Sequence, residues 1–392
     1  MEADLSNVTY FPRPADAADG SVGPFCVRRE IDGREIVRRG PEPRALDHRI
    51  PDHRPLDNGR CERDVAGSAF DGGSLAAPVA LSSSVAAPVV KATTEAMPLP
   101  ASLALLGRSY QELNVQVEPE ARALWCRLCP DGPPSFTPSM LRELNVLHQD
   151  IRSLFAGTAP DEPSPLLYYV QGSSIPGIYN MGGDFAFMKD CVARADRESL
   201  KRYAFDCVES VHRILTGFDS PIVSIALVQG DALGGGFEGA LCCNVIVAER
   251  SSRMGFPEIL FNTFPGMGAY SILSRRLSPA AAERLIMSGK VHTAEEMYEM
   301  GLVDVIAEDG EGEAAVREFM KSGGASRHRV RKVMFDIRQR VDPVTLDELH
   351  EVTEMWTDHV LKLAPSDLRR MSHLQAAQVR RLSRLQTSVE PR

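Results

Sequence analysis

The sequence feature that most constrains the fold is a run of three glycines, residues 234–236, which follows the apolar run IVSIALV of residues 222–228. An apolar run of this length predicts a buried strand. The segment after the glycines, FEGAL, predicts a helix, and the N–H groups of its first turn have no acceptor within that helix. Glycine lets another group approach this backbone closely. The strand end therefore suits an anion, either a phosphate or the oxyanion that develops on a thioester carbonyl.

The surrounding residues disfavour a phosphate. No Lys-Ser or Lys-Thr pair follows the glycines, as in a P-loop, and the G-x-G-x-x-G spacing of a dinucleotide site is absent. An oxyanion site needs a second donor, and the segment YNMGGDF offers one, because it also follows an apolar strand, residues 166–170, and presents Gly182 and Gly183. No G-x-S-x-G motif is present, so a serine-hydrolase triad is not expected.

Two glutamates lie in the most apolar surroundings of the chain. Glu238 follows the glycines, and Glu258 lies one short strand further on, in FPEILFN. Taken alone, Glu238 could merely favour the helix dipole, and Glu258 could be an ordinary loop or helix-start residue after Pro257. Taken together, their apolar neighbours predict desolvation, which raises the pKa of a carboxyl group and makes it a proton carrier near neutral pH. The pair is a candidate acid and base.

The motifs VQGDALGGGFEGAL and GFPEILFNTFPGMGAY resemble the crotonase (enoyl-CoA hydratase/isomerase) superfamily. More narrowly, FPEILFNTFPGMGAYSILSRR and YEMGLVDVIAEDGEGEAAV resemble its diffusible signal factor synthases, which make cis-2-unsaturated fatty acid signals. The resemblance covers roughly residues 113–320. It implies that the N–H groups of Gly183 and Gly235 hold the thioester oxygen and that Glu238 and Glu258 are catalytic. Many hydratases have alanine at the position of Gly183, and the backbone donor should survive that difference.

Local patterns predict individual elements. Alternation over residues 113–117 and 121–129 predicts a hairpin, and Thr137 and Pro138 are expected to start a helix. A further helix is expected over residues 265–276. Asp184 is expected to cap a helix and Asp231 to lie in a turn.

The alternation of strands and helices indicates an α/β fold. The resemblance sharpens this to a spiral of β-β-α repeats with a helical C-terminal region. It also implies an acyl thioester substrate, carried by acyl carrier protein or coenzyme A, and no metal or redox cofactor. Members usually assemble as trimers or as hexamers, and some synthases are restrained by a sensor kinase. The residues beside the site that are expected to contact the substrate are Met181, Gly182, Leu233, Gly234 and Phe256.

Composition divides the chain into three parts. Residues 1–105 are rich in Arg, Asp, Pro and Gly and then in Ala, Ser, Pro and Val, which predicts a disordered extension and linker. Residues 106–325 are expected to form the catalytic core. Residues 326–392 are expected to form a helical region that covers the substrate pocket and mediates oligomerisation.

Charge and cysteine content narrow the possible partners and compartments. The net charge of -9 argues against a general nucleic-acid binder. Cys126 and Cys129 form a CxxC pair, but no second pair accompanies them, and the alternation around them favours a plain strand over a zinc site. Scattered cysteines fit a reducing cytoplasm, and neither a secretory signal nor a membrane-spanning run is visible.

Two features of the C-terminal region have both structural and functional interpretations. Arg327, Arg329, Arg331 and Lys332 belong to a basic run on an acidic chain. This run is either a solvated helix face or a docking surface for the phosphates of coenzyme A or for an acyl carrier protein. Trp356 is expected to pack in a core or subunit contact, and the resemblance implies a second role, lining the acyl-tail pocket.

The sequence therefore predicts a cytoplasmic enzyme that dehydrates a 3-hydroxyacyl thioester to a cis-2-enoyl thioester and hydrolyses it to a free fatty acid signal. The thioesterase step and the cis geometry follow from the resemblance alone. One alternative is an enoyl-CoA hydratase or isomerase of fatty-acid metabolism. Another is a non-catalytic partner of a signalling kinase on the same scaffold, which the presence of both Glu238 and Glu258 disfavours.

Overall fold

The computed structural model describes residues 106–158 and 162–389, Leu103, and two short strands near the N-terminus. Strands β1 (Cys26–Ile31) and β2 (Arg34–Arg39) form an antiparallel hairpin in a unit of their own. The sequence did not predict this hairpin. Apart from it and Leu103, the predicted disordered extension lies outside the described residues.

The larger unit begins with the hairpin that alternation predicted. Strands β3 (Leu113–Glu118) and β4 (Ala123–Leu128) pair antiparallel, with Cys126 buried and free in β4. Helix α1 (Pro138–Ala156) follows, and its N-cap Thr137 accepts a hydrogen bond from the Met140 N–H at 3.0 Å. Thr137 and Pro138 thus start this helix as their positions predicted.

Three successive strand pairs build the centre of the fold. They are β5 (Tyr168–Ser173) and β6 (Gly177–Asn180), β7 (Val223–Val228) and β8 (Gly230–Leu233), and β9 (Val245–Glu249) and β10 (Arg253–Gly255). The first strand of each pair joins a six-stranded sheet, and the second joins a four-stranded sheet. Within each sheet these strands run parallel. Each pair is followed by helix, so the chain winds as the predicted spiral of β-β-α turns.

The helices that follow the strand pairs carry the site. They are α2 (Phe185–Arg194) and α3 (Arg197–Leu215) after β6, α4 (Gly235–Leu241) after β8, and a 3-10 helix (Pro257–Phe261) after β10. The remaining elements of this unit are α5 (Ala269–Arg276), α6 (Pro279–Ser288), β11 (Val291–Thr293), α7 (Ala294–Glu299), β12 (Val305–Ala307), α8 (Gly312–Lys321), α9 (Gly324–Val341), α10 (Leu346–Val360) and α11 (Pro365–Val389).

Two sequence predictions were wrong in detail. The helix expected over residues 265–276 begins only at Ala269, because the N–H groups of Met267 and Ala269 bond to the Glu238 carboxylate across a loop. Asp231 was expected in a turn, but it lies within β8, where its buried carboxylate pairs with Arg381 of α11. The late start of the helix at Ala269 depends on contacts with the distant residue Glu238. The position of Asp231 depends on its ion pair with Arg381 in the last helix.

The C-terminal part of the chain is helical, and residues 325 and 326 lie in the first turn of α9. The domain boundary between them stays a prediction. Helix α10 packs on α3, and α11 packs on α2 and the 3-10 helix. In α11, Gln378 donates to the Met181 carbonyl and Arg381 pairs with Asp231, so this helix lies beside β6 and β8. Among the described residues, no helix combines the length and the apolar character that crossing a membrane requires.

Candidate active site

The oxyanion-hole candidates Gly183 and Gly235 lie side by side. A Cβ built on Gly235 would be 3.4 Å from the Gly183 nitrogen. Within the described part of the chain, neither amide has a hydrogen-bond acceptor. Gly235 begins α4, so its N–H is one of the free donors at the helix start. The structure therefore brings together the two backbone donors predicted from separate motifs.

The Glu238 carboxylate lies in the first turn of α4 and is almost fully buried, with 1% of the residue exposed. Its Oε1 accepts hydrogen bonds from the N–H groups of Met267, at 2.7 Å, and Ala269, at 2.9 Å. Burial raises the pKa of Glu238 to about 7, and the two backbone hydrogen bonds oppose that rise. Glu238 is thus poised to gain or lose a proton near neutral pH.

The Glu258 carboxylate projects from the 3-10 helix toward Gly234, whose φ of 54° requires glycine and whose missing Cβ leaves room for Glu258 Oε1. The other oxygen, Oε2, is fully buried and has no hydrogen-bond partner among the described residues. Burial, and then the charge of Glu238, raise the pKa of Glu258 to about 8. The predicted desolvation of both glutamates is therefore observed.

Both glutamates and both glycine donors line one cavity. The rest of its wall is almost entirely apolar, and its other lining residues include Phe185, Met188, Tyr203, Phe261, Met267 and Trp356. An apolar cavity strengthens interactions with charge that develops inside it, because little water screens them. The arrangement can stabilise an oxyanion next to two groups that exchange protons.

The raised pKa values make the stability of the fold depend on pH. Between about 4.5 and about 8 the unfolded chain has lost the Glu258 proton and the folded chain keeps it, so the free energy of unfolding falls as pH rises. The slope is up to about 1.4 kcal/mol per pH unit for one such group. We expect Glu258→Gln to melt higher than the wild type at pH 8 and to show a smaller loss of Tm from pH 5 to pH 8. Equal losses in thermal melts of both proteins would contradict this.

Tyr203 of α3 holds the loop that carries Gly183. Its hydroxyl donates to the Phe136 carbonyl at 2.8 Å and accepts from the Asp184 N–H at 2.9 Å. Asp184 in turn caps α2, as predicted, by accepting from the Ala186 N–H at 3.0 Å. The Gly183 donor is therefore fixed through Tyr203, a residue that the sequence analysis missed.

We expect Tyr203→Phe to lower kcat about 10-fold, because a misplaced oxyanion donor loses most of its value in the transition state. KM should change little, since the ring that lines the cavity remains. Steady-state kinetics test this, with Tyr270→Phe as the control, because the Tyr270 hydroxyl bonds Glu283 at the surface. A change in KM alone would assign Tyr203 to substrate binding instead.

The residues predicted to contact the substrate fall into two groups. Trp356 lines the cavity and packs against Gly266. The other five do not line the cavity. Four of them directly precede a donor in the chain, namely Met181, Gly182, Leu233 and Gly234. The fifth, Phe256, packs on the ring of Phe237. Substrate contact by any of these six residues stays a prediction.

The basic run on α9 lies away from this cavity. Arg331 donates to the Phe319 carbonyl at 3.0 Å and lies over the Phe319 ring, and Lys332 pairs with Asp336. Arg327 and Arg329 are exposed. Within the described residues, none of the four lines the cavity. Carrier docking at this run stays a prediction.

The loop between Glu258 and α5 contributes functional groups that pattern reasoning did not identify. Met267 supplies an N–H to Glu238, and its side chain packs against Gly235 and lines the cavity. The glycines on either side, Gly266 and Gly268, were the available signal for a loop instead of a helix.

No group of three or more His, Cys, Asp or Glu side chains suited to a metal ion occurs among the residues described.

The fold and the site define a mixed α/β crotonase fold with a helical C-terminal region. Residues 172–364 match the family described as enoyl-CoA hydratase/isomerase. This match covers just under half of the chain, and together with the fold it agrees with the crotonase superfamily that the motifs resemble.

Relatives and solved structures agree with this assignment. The chain is 32% identical over 152 residues to crotonyl-CoA hydratase of Syntrophomonas wolfei, covering 38% of this chain and 55% of the relative. It is 34% identical over 182 residues to mitochondrial methylglutaconyl-CoA hydratase of Rattus norvegicus, covering 44% and 55%. The fold resembles the crystal structure of an enoyl-CoA hydratase from Bacillus halodurans, with a TM-score of 0.55, 20% identity, and coverage of 67% of this chain and all of the other. The chain thus matches only about half the length of these curated relatives.

Proposed function

We propose that this chain adds or removes water across C2 and C3 of an acyl thioester. The observation that carries the proposal is one cavity that holds two free backbone donors and two carboxyl groups with raised pKa. The family match and the hydratase names of the relatives support the same chemistry. The substrate is a thioester of coenzyme A or of acyl carrier protein, and the reaction requires no metal or redox cofactor.

In the dehydration direction, one carboxylate removes a proton from C2, and the electron pair moves toward the thioester carbonyl. The N–H groups of Gly183 and Gly235 hold the negative charge that develops on the carbonyl oxygen. The C3–O bond then breaks while the other carboxyl group protonates the departing hydroxyl, which leaves as water. Because the pKa values of Glu238 and Glu258 are about 7 and about 8, the pair carries close to one proton in this range.

We further propose that the physiological direction is synthesis of a cis-2-enoic acid signal. The enoyl thioester would stay bound while water, activated by one of the same glutamates, attacks the carbonyl carbon. The carbon–sulfur bond breaks, the thiol leaves with a proton, and the free acid is released. The motif resemblance to the diffusible signal factor synthases supports this step. The ordinary hydratase reaction uses the same site and lacks only the hydrolysis.

Mass spectrometry of the products separates these activities. The full-length protein is incubated with 3-hydroxydodecanoyl thioesters of acyl carrier protein and of coenzyme A in parallel. Free cis-2-dodecenoic acid identifies the synthase. Interconversion of the 3-hydroxyacyl and enoyl thioesters without free acid identifies a hydratase. Absence of turnover with these and with 3-hydroxybutyryl-CoA contradicts the proposed function.

A further inference from the structure

A groove of about 500 Å³, the outer groove, runs between α9 and the end of α3. It continues into a smaller space between α9, α5 and the end of α4, the inner cavity, and the two share Leu215, Asn244, Phe335 and Gln339. The inner cavity has a volume of about 30 Å³, which is room for about two water molecules or a group of similar size. Among the described residues, neither space shares a lining residue with the active-site cavity.

The inner cavity is lined by a buried guanidinium that is only partly satisfied. Arg276 of α5 has 8% of its side chain exposed. Its Nη2 donates to the Leu302 carbonyl at 3.0 Å and lies 3.6 Å from the Asp304 carboxylate. Its Nη1 is fully buried and has no hydrogen-bond partner within the described residues. A buried donor of this kind destabilises the fold unless a bound group accepts its hydrogen bond.

Arg338 of α9 brings a second positive charge to the same cavity. Its charge lowers the pKa of Arg276, after the larger effect of burial, so the two guanidiniums repel each other. Arg338 lies over the ring of Phe335, and its guanidinium forms no ion pair with the described part of the chain. Two neighbouring guanidiniums with one carboxylate between them favour the binding of an anion.

The carboxylates that line the two spaces do not cancel this charge, because each is paired with a cation. The pairs are Asp219 with Arg152, Asp336 with Lys332, and Asp342 with Arg275. Arg338 and the Nη1 of Arg276 are therefore the cationic donors that remain for a ligand.

The two amide side chains shared by the outer groove and the inner cavity add further donors. Asn244 Oδ1 accepts from the Ser224 N–H at 3.0 Å, and Gln339 Oε1 accepts from the Val344 N–H at 3.4 Å. Both amide oxygens are thus in use, whereas both amide nitrogens lack an acceptor among the residues described. A group with several acceptor oxygens matches this set of donors.

We propose that the inner cavity binds the phosphoryl group of a small phosphorylated molecule, whose remainder lies in the outer groove. Arg276 and Arg338 bind the phosphoryl oxygens through charge-assisted hydrogen bonds, and Asn244 and Gln339 contribute neutral ones. The site lies against α5 and the end of α4, the two helices that position Glu238. It is separate from the active site and does not depend on the proposed reaction.

Calorimetric titration of the full-length protein with inorganic phosphate, ribose 5-phosphate and ribose, at constant ionic strength, tests the site. Both phosphates are expected to bind and ribose is not. Arg338→Gln should weaken both phosphates at least about tenfold, because it removes a charge-assisted hydrogen bond. The control, Arg340→Gln, removes the same charge from an exposed position of α9 that lines neither space, and should bind as the wild type does. No binding of either phosphate to the wild type, or equal losses in the two variants, overturns the proposal.

Asn244→Asp is an independent test that hardly changes the shape of the site. The new side chain keeps an oxygen for the Ser224 N–H and replaces the amide nitrogen with negative charge. Asn244 is only partly buried, so the fold should survive, and circular dichroism checks this. Phosphate affinity should fall at least about tenfold, and an unchanged affinity in the folded variant overturns the proposal. If phosphate binding responds to both variants while no thioester is turned over, this site stands and only the proposed function fails.

Discussion

Replacing either buried glutamate with glutamine is expected to lower kcat about 10²- to 10⁴-fold, which is the usual contribution of general acid–base catalysis. Glutamine keeps the size of the side chain but cannot exchange a proton at neutral pH. The effect should fall on kcat more than on KM, because the carboxyl groups of Glu238 and Glu258 act on charge that develops in the transition state. Initial rates with a 3-hydroxyacyl thioester measure both parameters.

Stability measurements distinguish the two glutamine variants from misfolded proteins, because neither substitution is expected to destabilise the fold above neutral pH. Burial raises the pKa of Glu258, so Glu258→Gln removes an unfavourable buried charge and should be more stable than the wild type above neutral pH. Glu238→Gln loses a carboxylate that bonds two backbone N–H groups and should gain less. Wild-type rates in either variant would show that the proposed acid–base pair is wrong.

Gly235→Ala is expected to lower kcat about 10²- to 10³-fold, a loss comparable to that of one oxyanion donor. The added Cβ would lie 2.6 Å from the Met267 sulfur and 3.4 Å from the Gly183 nitrogen, between the two donors. Met267 can move aside, because its side chain is flexible, so the fold should survive. The methyl group would still occupy the space beside the oxyanion. Steady-state kinetics measure the loss of oxyanion stabilisation, and melting curves measure any loss of fold stability.

The matched control is Gly172→Ala. Gly172 is also buried, but a Cβ there would meet only ordinary contacts, the nearest at 3.7 Å from the Leu227 carbonyl. It lies in β5, where alanine costs less backbone entropy than glycine. This variant should keep the wild-type rate. Equal losses in the two variants would indicate general damage to the sheet instead of a blocked oxyanion hole.

Much of this site follows from local sequence. The apolar run before residues 234–236 predicted both the strand β7 and the donors at the start of α4. Apolar neighbours predicted the raised pKa of Glu238 and Glu258, because desolvation depends mainly on what surrounds a carboxyl group. The cap of α1 by Thr137 was equally local.

The remaining features depend on residues far apart in the chain. Tyr203 fixes the Gly183 loop only because α3 packs against it, and no periodicity in α3 distinguishes this tyrosine from a core residue. Asp231 pairs with Arg381, which lies 150 residues further on. Gly266 and Gly268 indicate a loop at Met267, but the hydrogen bond from its N–H to the Glu238 carboxylate depends on the fold. Tertiary contacts of this kind override local propensity. The structure was therefore needed to identify them.

The most direct test of the central claim, that two buried glutamates share one proton at a thioester site, is the pH dependence of kcat/KM for a 3-hydroxyacyl thioester. The pKa values of about 7 and about 8 predict a bell-shaped profile with its maximum between them. The acidic and basic sides of this profile both report the titration of the Glu238–Glu258 pair. Glu238→Gln and Glu258→Gln should therefore each abolish the bell shape along with most of the rate. A profile that is flat from pH 5 to pH 9, or a bell that persists unchanged in both variants, would contradict the account.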